Sequence, residues 1–179
     1  MKAKVQSPKV AAKPENVMRA PYIEKVIISA GATGDDLIKA RKLLELLSKK
    51  KAQIVQSNKR IPDFGVRPGL EVGTRITLRR KDAIDLLKRL LGAMDNALRK
   101  KQISENHFSF GLEEYIEIPG IEYQRDIGIR GLNVTIVFAR KGLRVGVKKI
   151  KSGKVPKKQR VSKEEIITYM EENFKTKFN

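Results

Sequence analysis

The chain has no cysteine and no tryptophan, and its one histidine is His107. Without thiols, disulfides and thiolate metal sites are excluded, and a lone histidine with no Cys or Ser partner at readable spacing offers little for nucleophilic catalysis. No apolar run approaches the roughly 20 residues that span a bilayer, and no signal peptide precedes a small-residue cleavage site. These absences predict a cytosolic protein of a reducing compartment. Acidic residues are also few, 20 against 39 Lys plus Arg, so the 179-residue chain carries a formal net charge of +19. Its length suits one domain with a real core, and its charge points to a polyanionic partner.

The excess charge is segregated. Residues 1–20 hold five basic residues and one acid, residues 49–81 hold ten and two, and residues 140–163 hold eleven and none, which leaves the rest of the chain slightly acidic. A surface charged only for solubility would interleave the signs, so this distribution favours nucleic acid over a general solubilising role or an anionic membrane. A membrane-surface protein would also need a basic amphipathic helix, whereas the helical segments here carry mixed charge. The reading divides the chain into a basic N-terminal arm, 1–20, and a single domain, 21–179, with a basic hairpin or extension at 140–163 and a C-terminal helix.

Periodicity supplies the elements. "YIEKVIISA", Tyr22 to Ala30, reads as a strand that the glycines of "GATG" end. Asp35 and Asp36 then favour a helix start, and Leu37, Ala40, Leu44 and Leu47 form the apolar stripe of a helix running to about Lys50. "RITLRR" alternates, with Ile76 and Leu78 facing one way and Arg75, Thr77 and Arg79 the other. A second helix after Asp82 is predicted to carry Leu87, Leu91, Met94 and Leu98 on one face and to end near Lys101. "HFSFGLEEYIEI" and "LNVTIVFA" alternate again, the first through Phe108, Phe110, Leu112, Ile116 and Ile118. Ser162 and Glu165 make a capping box before a helix bearing Ile166, Met170 and Phe174. Alternating strands imply antiparallel pairing with one wet face. The fold class is therefore α+β in two layers, with helices on one face of an antiparallel sheet and the other face open.

The candidates for chemistry are weak. "GATGDD" has neither phosphate-loop nor dinucleotide-loop glycine spacing, so it reads as a strand-to-helix turn. His107 reads as an edge or backbone-contact residue. Glu113 and Glu117 share one side of the strand pattern while Glu114 falls on the other, so no convergent carboxylate site is implied. No enzyme activity, metal or cofactor is expected.

The stretches "MRAPYIEKVIISAG", "KRIPDFGVRPGLEVGTRITLRR", "FSFGLEEYIEIPGIEY" and "DIGIRGLNV" resemble, in order, the motifs of the universal large-subunit ribosomal protein five family, which binds 5S ribosomal RNA. The resemblance covers most of residues 16–139, and the basic stretch 140–163 with a final helix resembles the archaeal and eukaryotic form. It implies a protein of the central protuberance that attaches 5S RNA, touches P-site tRNA and bridges to a protein of the small-subunit head, with no membrane and no small-molecule substrate.

The resemblance also assigns residues. For 5S RNA it implies Ser29, Lys50, Arg75, Thr77 and Arg79; Ser29 stands where the family usually has asparagine and Lys50 where it has glutamine. For tRNA it implies the loop with Lys59, Arg60, Phe64 and Arg67, in which Ile61 and Phe64 would anchor and the cations would meet phosphate. The charge of 140–163, rather than a motif, leads us to expect further ribosomal RNA contacts at Arg144, Lys148, Lys149, Lys151, Lys154, Lys157, Lys158 and Arg160. That last segment is expected to attach without selecting sequence and to be ordered by RNA; the alternative is a hairpin packed on the body by Val145, Val147, Ile150 and Val155. A free basic RNA chaperone, a nucleic-acid-compacting protein and an RNA-processing enzyme are the other classes that such a composition admits.

Overall fold

A computed structural model describes Asn16 and residues 18–179, so most of the N-terminal arm read at 1–20 lies outside the described residues. β1 (Tyr22–Gly31) leads through Gly34 into α1 (Asp35–Ser48), followed by β2 (Gln53–Gln56) and β3 (Glu71–Leu78). Then come α2 (Arg80–Ala93), the short strands β4 (Ala97–Leu98) and β5 (Ile103–Ser104), β6 (His107–Leu112) and β7 (Leu132–Ala139). A single helical turn, α3 (Arg144–Val147), precedes α4 (Lys163–Phe174) and β8 (Lys177–Phe178). Six strands form one antiparallel sheet in the order β2-β3-β1-β7-β6-β5, and β4 pairs with β8 in a separate parallel ribbon.

The even-numbered side chains of the sheet, among them Val26, Ile28, Ile76, Leu78, Phe108, Phe110, Val134, Ile136 and Phe138, form one buried cluster with the stripes of the helices. α1 contributes Leu43, Leu44 and Leu47, α2 contributes Leu86, Leu87, Leu90 and Leu91, and α4 contributes Ile166 and Met170. The two-layer α+β reading therefore holds, and burial of the helix stripes is what leaves the odd-numbered face of the sheet uncovered.

Two boundaries differ from the sequence reading. α2 stops at Ala93 rather than near Lys101, because Asp95 and Asn96 turn the chain at φ 50° and 55°, a conformation that Asp and Asn adopt more readily than most residues. Leu98 is still buried, but as part of β4 opposite Phe178. The alternation of "HFSFGLEEYIEI" breaks after Leu112, where Tyr115–Glu117 forms a 3-10 turn. Its three-residue period buries Tyr115 and Ile118 and leaves Ile116 exposed, and the Gln124 N–H donates to Tyr115 Oη at 2.9 Å.

The capping box at α4 is present, with the Glu165 N–H donating to Ser162 Oγ at 3.4 Å and the Ser162 N–H donating to Glu165 Oε2 at 2.9 Å. Ser162→Ala should therefore lower stability by about 1 kcal/mol, read as a shift in the urea midpoint with an unchanged slope.

Candidate nucleic-acid interface

On the open side of the sheet, strand register lines up polar positions from different parts of the chain. One row runs Gln53, Arg75, Ser29, Asn133, Gly111, and the next runs Thr77, Ile27, Thr135, Ser109. Five strands at about 4.8 Å spacing make the longer row about 19 Å wide. Neither row contains a carboxylate. Arg75 Nε donates to Gln53 Oε1 at 3.2 Å, which directs the guanidinium along the surface while its remaining N–H groups stay available. A Cβ on Gly111 would lie 3.2 Å from Asn133 Oδ1, so the glycine leaves that amide uncrowded.

Ser29, Arg75 and Thr77 thus meet on one face, and Arg79 follows β3 as the extended residue that precedes α2. Lys50 is set apart. It follows α1 just beyond Lys49, which closes the helix at φ 54°, and its ammonium pairs with Asp82 of α2. The hydrogen bond and charge of Lys50 hold the Asp82 carboxyl below its ordinary pKa. Asn133, Thr135, Ser109 and Gly111 complete the surface. Alternation in β6 and β7 marks these positions as solvent-facing, but only the register places them beside Ser29 and Arg75.

The loop between β2 and β3 is a nested hairpin. Ile61 and Val66 exchange backbone hydrogen bonds at 2.9 and 3.0 Å around the Pro62–Phe64 turn, and Gly65 closes it at φ 61°. Leu70 O accepts from the Ser57 N–H, and Ser57 O accepts from the Gly69 N–H, which fixes the base. The expected anchors are corrected: Val66, 6% exposed, is the anchor, while Phe64 is 78% exposed at the tip. The 3-10 turn carries Phe64 outward, and Lys59, Arg60 and Arg67 of the same loop are all solvent-facing.

Residues 140–163 do not form a β hairpin; the chain makes the one-turn helix α3 and a 3-10 turn at Lys157–Gln159. The base is stapled to the body. Arg140, 4% exposed, donates to Lys158 O at 3.1 Å and to both carboxylate oxygens of Glu165. Gln159 Nε2 donates to Lys141 O at 2.9 Å, and Arg160 pairs with Glu105 at 3.0 Å. The tip is not packed on the body, since Val145, Val147 and Ile150 are exposed. Arg144, Lys148, Lys149, Lys151, Lys154, Lys157 and Lys158 are all exposed as well.

His107 begins β6 with Nδ1 3.1 Å from Glu105 O; it makes a backbone contact rather than standing at an edge, since it pairs with Val137 of β7 and Ser104 of β5. Among the described residues no group of three or more His, Asp or Glu side chains is placed to hold a metal, and no helix is long and apolar enough to cross a membrane.

Comparison with known proteins agrees with this architecture. Residues 16–67 match the family described as ribosomal protein L5, and residues 71–169 match the C-terminal part of the same ribosomal family. The large ribosomal subunit protein uL5 of Picrophilus torridus is 40% identical, over 91% of this chain and 95% of that protein. The uL5 proteins of Sulfolobus acidocaldarius and Methanosphaera stadtmanae are 39% and 37% identical, over 91% and 89% of this chain and 93% and 96% of theirs. With both halves matched and archaeal relatives aligned over most of its length, the chain belongs to the ribosomal protein L5 family.

Proposed function

We propose that this ribosomal protein attaches 5S ribosomal RNA in the large subunit through the odd-numbered face of its sheet and meets P-site tRNA with the hairpin tip at Lys59–Gly69. Family membership makes it a structural component of the large ribosomal subunit rather than an enzyme. The observation that carries the 5S reading is the pair of largely polar rows, which include Arg75, lie beside Arg79 and are free of carboxylates. Such a surface suits the wide, shallow minor groove of an RNA helix, whose 2′-hydroxyls and phosphates are met by short polar side chains and cations. At the hairpin tip, cations meet phosphate while the exposed Phe64 ring offers a stacking face to an unpaired base.

The connection between β6 and β7 suits a different partner. Glu113, Glu114, Glu117, Glu122 and Asp126 are exposed there beside Ile116, Tyr123 and Ile129. Five acids against the exposed Arg125 make a surface that disfavours RNA and fits a basic protein, and we assign it to the bridge to the small-subunit head.

Photoreactive benzoylphenylalanine tests the assignment of both RNAs in assembled ribosomes. In place of Thr77 it should crosslink 5S RNA, and in place of Phe64 it should crosslink P-site tRNA. Crosslinks from both positions to the same RNA, or from Thr77 to bulk RNA without 5S enrichment, would favour a non-selective basic RNA chaperone instead.

A further inference from the structure

Between Leu143 and Val155 the chain folds back on itself. The Gly146 N–H donates to Leu143 O at 3.0 Å, the Lys148 N–H to Arg144 O at 3.1 Å, and the Gly153 N–H returns to Val145 O at 3.0 Å. A Cβ on Gly153 would sit 2.8 Å from Val145 Cγ1, and one on Gly146 would sit 3.1 Å from Val155 Cγ2. Val145 and Val155 therefore stand where the two arms meet, with Val145 still 49% exposed. Val147 and Ile150 take no part in that contact and are 82% and 78% exposed. With Arg144, Lys148 and Lys149 they line a shallow concavity open to solvent.

A loop serving phosphate alone needs charge and reach, and two branched aliphatic side chains add neither. Their exposure calls for an apolar occupant, while eleven cations without one acid at 140–163 call for a polyanion. A nucleotide combines both, with an apolar base face and a charged phosphate. In an RNA duplex the bases are stacked and their faces are hidden, so a base can enter only from a bulge, a loop or an end.

We propose that this concavity receives the base of an unpaired ribosomal RNA nucleotide between Val147 and Ile150, while Arg144, Lys148 and Lys149 hold the flanking phosphates. The segment then selects RNA shape, rather than attaching without selection as its charge alone suggests. The inference rests on the RNA-binding reading of the chain, but not on the assignment of 5S RNA to the sheet.

Two hairpin RNAs test it, identical except that one carries a single bulged 2-aminopurine, titrated against the full-length protein at fixed salt. The bulged hairpin should bind about tenfold more tightly, the scale of burying one small apolar face, with a change in 2-aminopurine emission on binding. Val147→Ser with Ile150→Ser should bring the two affinities together without altering the salt slope, whereas Lys148→Ala with Lys149→Ala should weaken both hairpins and reduce the slope. Arg75→Ala with Arg79→Ala should keep the preference for the bulge, which separates this site from the sheet. Equal binding of both hairpins by the unaltered protein overturns the proposal, as does a preference that survives Val147→Ser with Ile150→Ser. Equal binding together with tight capture of a Glu/Leu-rich peptide, lost in that same double variant, would assign the concavity to an acidic protein instead. Failure to bind either RNA would reject the RNA-binding reading itself.

Discussion

Arg75→Ala combined with Arg79→Ala should lower affinity for 5S RNA about a hundredfold or more, since each charge-assisted contact contributes about 1.5–3 kcal/mol. Arg75 sits on the odd-numbered face opposite Ser29 in the ladder, and Arg79 is the extended residue just beyond the same strand. The magnitude of the log-log salt slope should fall by about 1.4–1.8, because each lost phosphate contact removes roughly 0.7–0.9. Thr77→Val should act differently. It removes a hydroxyl from the neighbouring row without changing charge, so affinity should fall while the slope stays fixed. Arg60→Ala with Arg67→Ala, confined to the hairpin between β2 and β3, should leave 5S affinity intact and weaken tRNA retention on assembled subunits. Filter binding across a salt series measures all of these. An unchanged slope in the double arginine variant would remove the sheet face from the 5S site.

The two layers are legible in the sequence because the strands alternate with period two and the helices repeat with spacings of three and four, signals that survive without knowledge of any partner strand. Arg75 and Thr77 are legible for the same reason. Asn133 and Ser109 belong to their surface through pairing between strands far apart in sequence, and periodicity carries no register information. Tyr115 escapes the alternating pattern because a 3-10 turn replaces the period of two with a period of three just where "LEEYIEI" still looks alternating. Phe64 reads as an anchor because apolar character says nothing about direction; the turn that begins at Pro62 decides it. Arg140 counts among the loose cations of the basic segment by composition, yet it is the most buried of them. Its role depends on Glu165, which is supplied by α4 after the chain has gone out and returned.

That buried arginine carries the second large effect. Arg140 joins the end of β7 to α4 through Glu165 and to the returning arm of the basic loop through Lys158 O. Removing one partner of a buried ion pair costs about 3–5 kcal/mol. Here the Glu165 side chain is over a third exposed, and water can solvate the carboxylate that is left behind. Arg140→Ala should therefore cost about 2–3 kcal/mol, lowering the melting temperature by roughly 4–12 °C for a chain of this size. Glu165→Ala added to Arg140→Ala should cost only about 1 kcal/mol more, the contribution of the capping bond from the Ser162 N–H, since the ion pair itself is lost as a unit.

The pH dependence of the clamp has a definite sign. Burial pushes the Glu165 carboxyl up, but the Ser162 N–H, the Arg140 guanidinium and the Ser162 hydroxyl together outweigh it and hold its pKa below the ordinary glutamate value. A carboxylate depressed in the folded state contributes stability that is fully present above its unfolded pKa and is lost as pH falls through the folded one. Melting curves should therefore show a loss of stability from about pH 4 downward, and that loss should shrink in Arg140→Ala. Digestion with trypsin at neutral pH locates the effect. The intact clamp should confine early cuts to the tip near Lys148–Lys154, and Arg140→Ala should open Lys157 and Lys158, because the bond to Lys158 O no longer holds the returning arm. An unaltered cleavage pattern and an unaltered acid limb would show that Gln159 and the Arg160–Glu105 pair hold the base without Arg140.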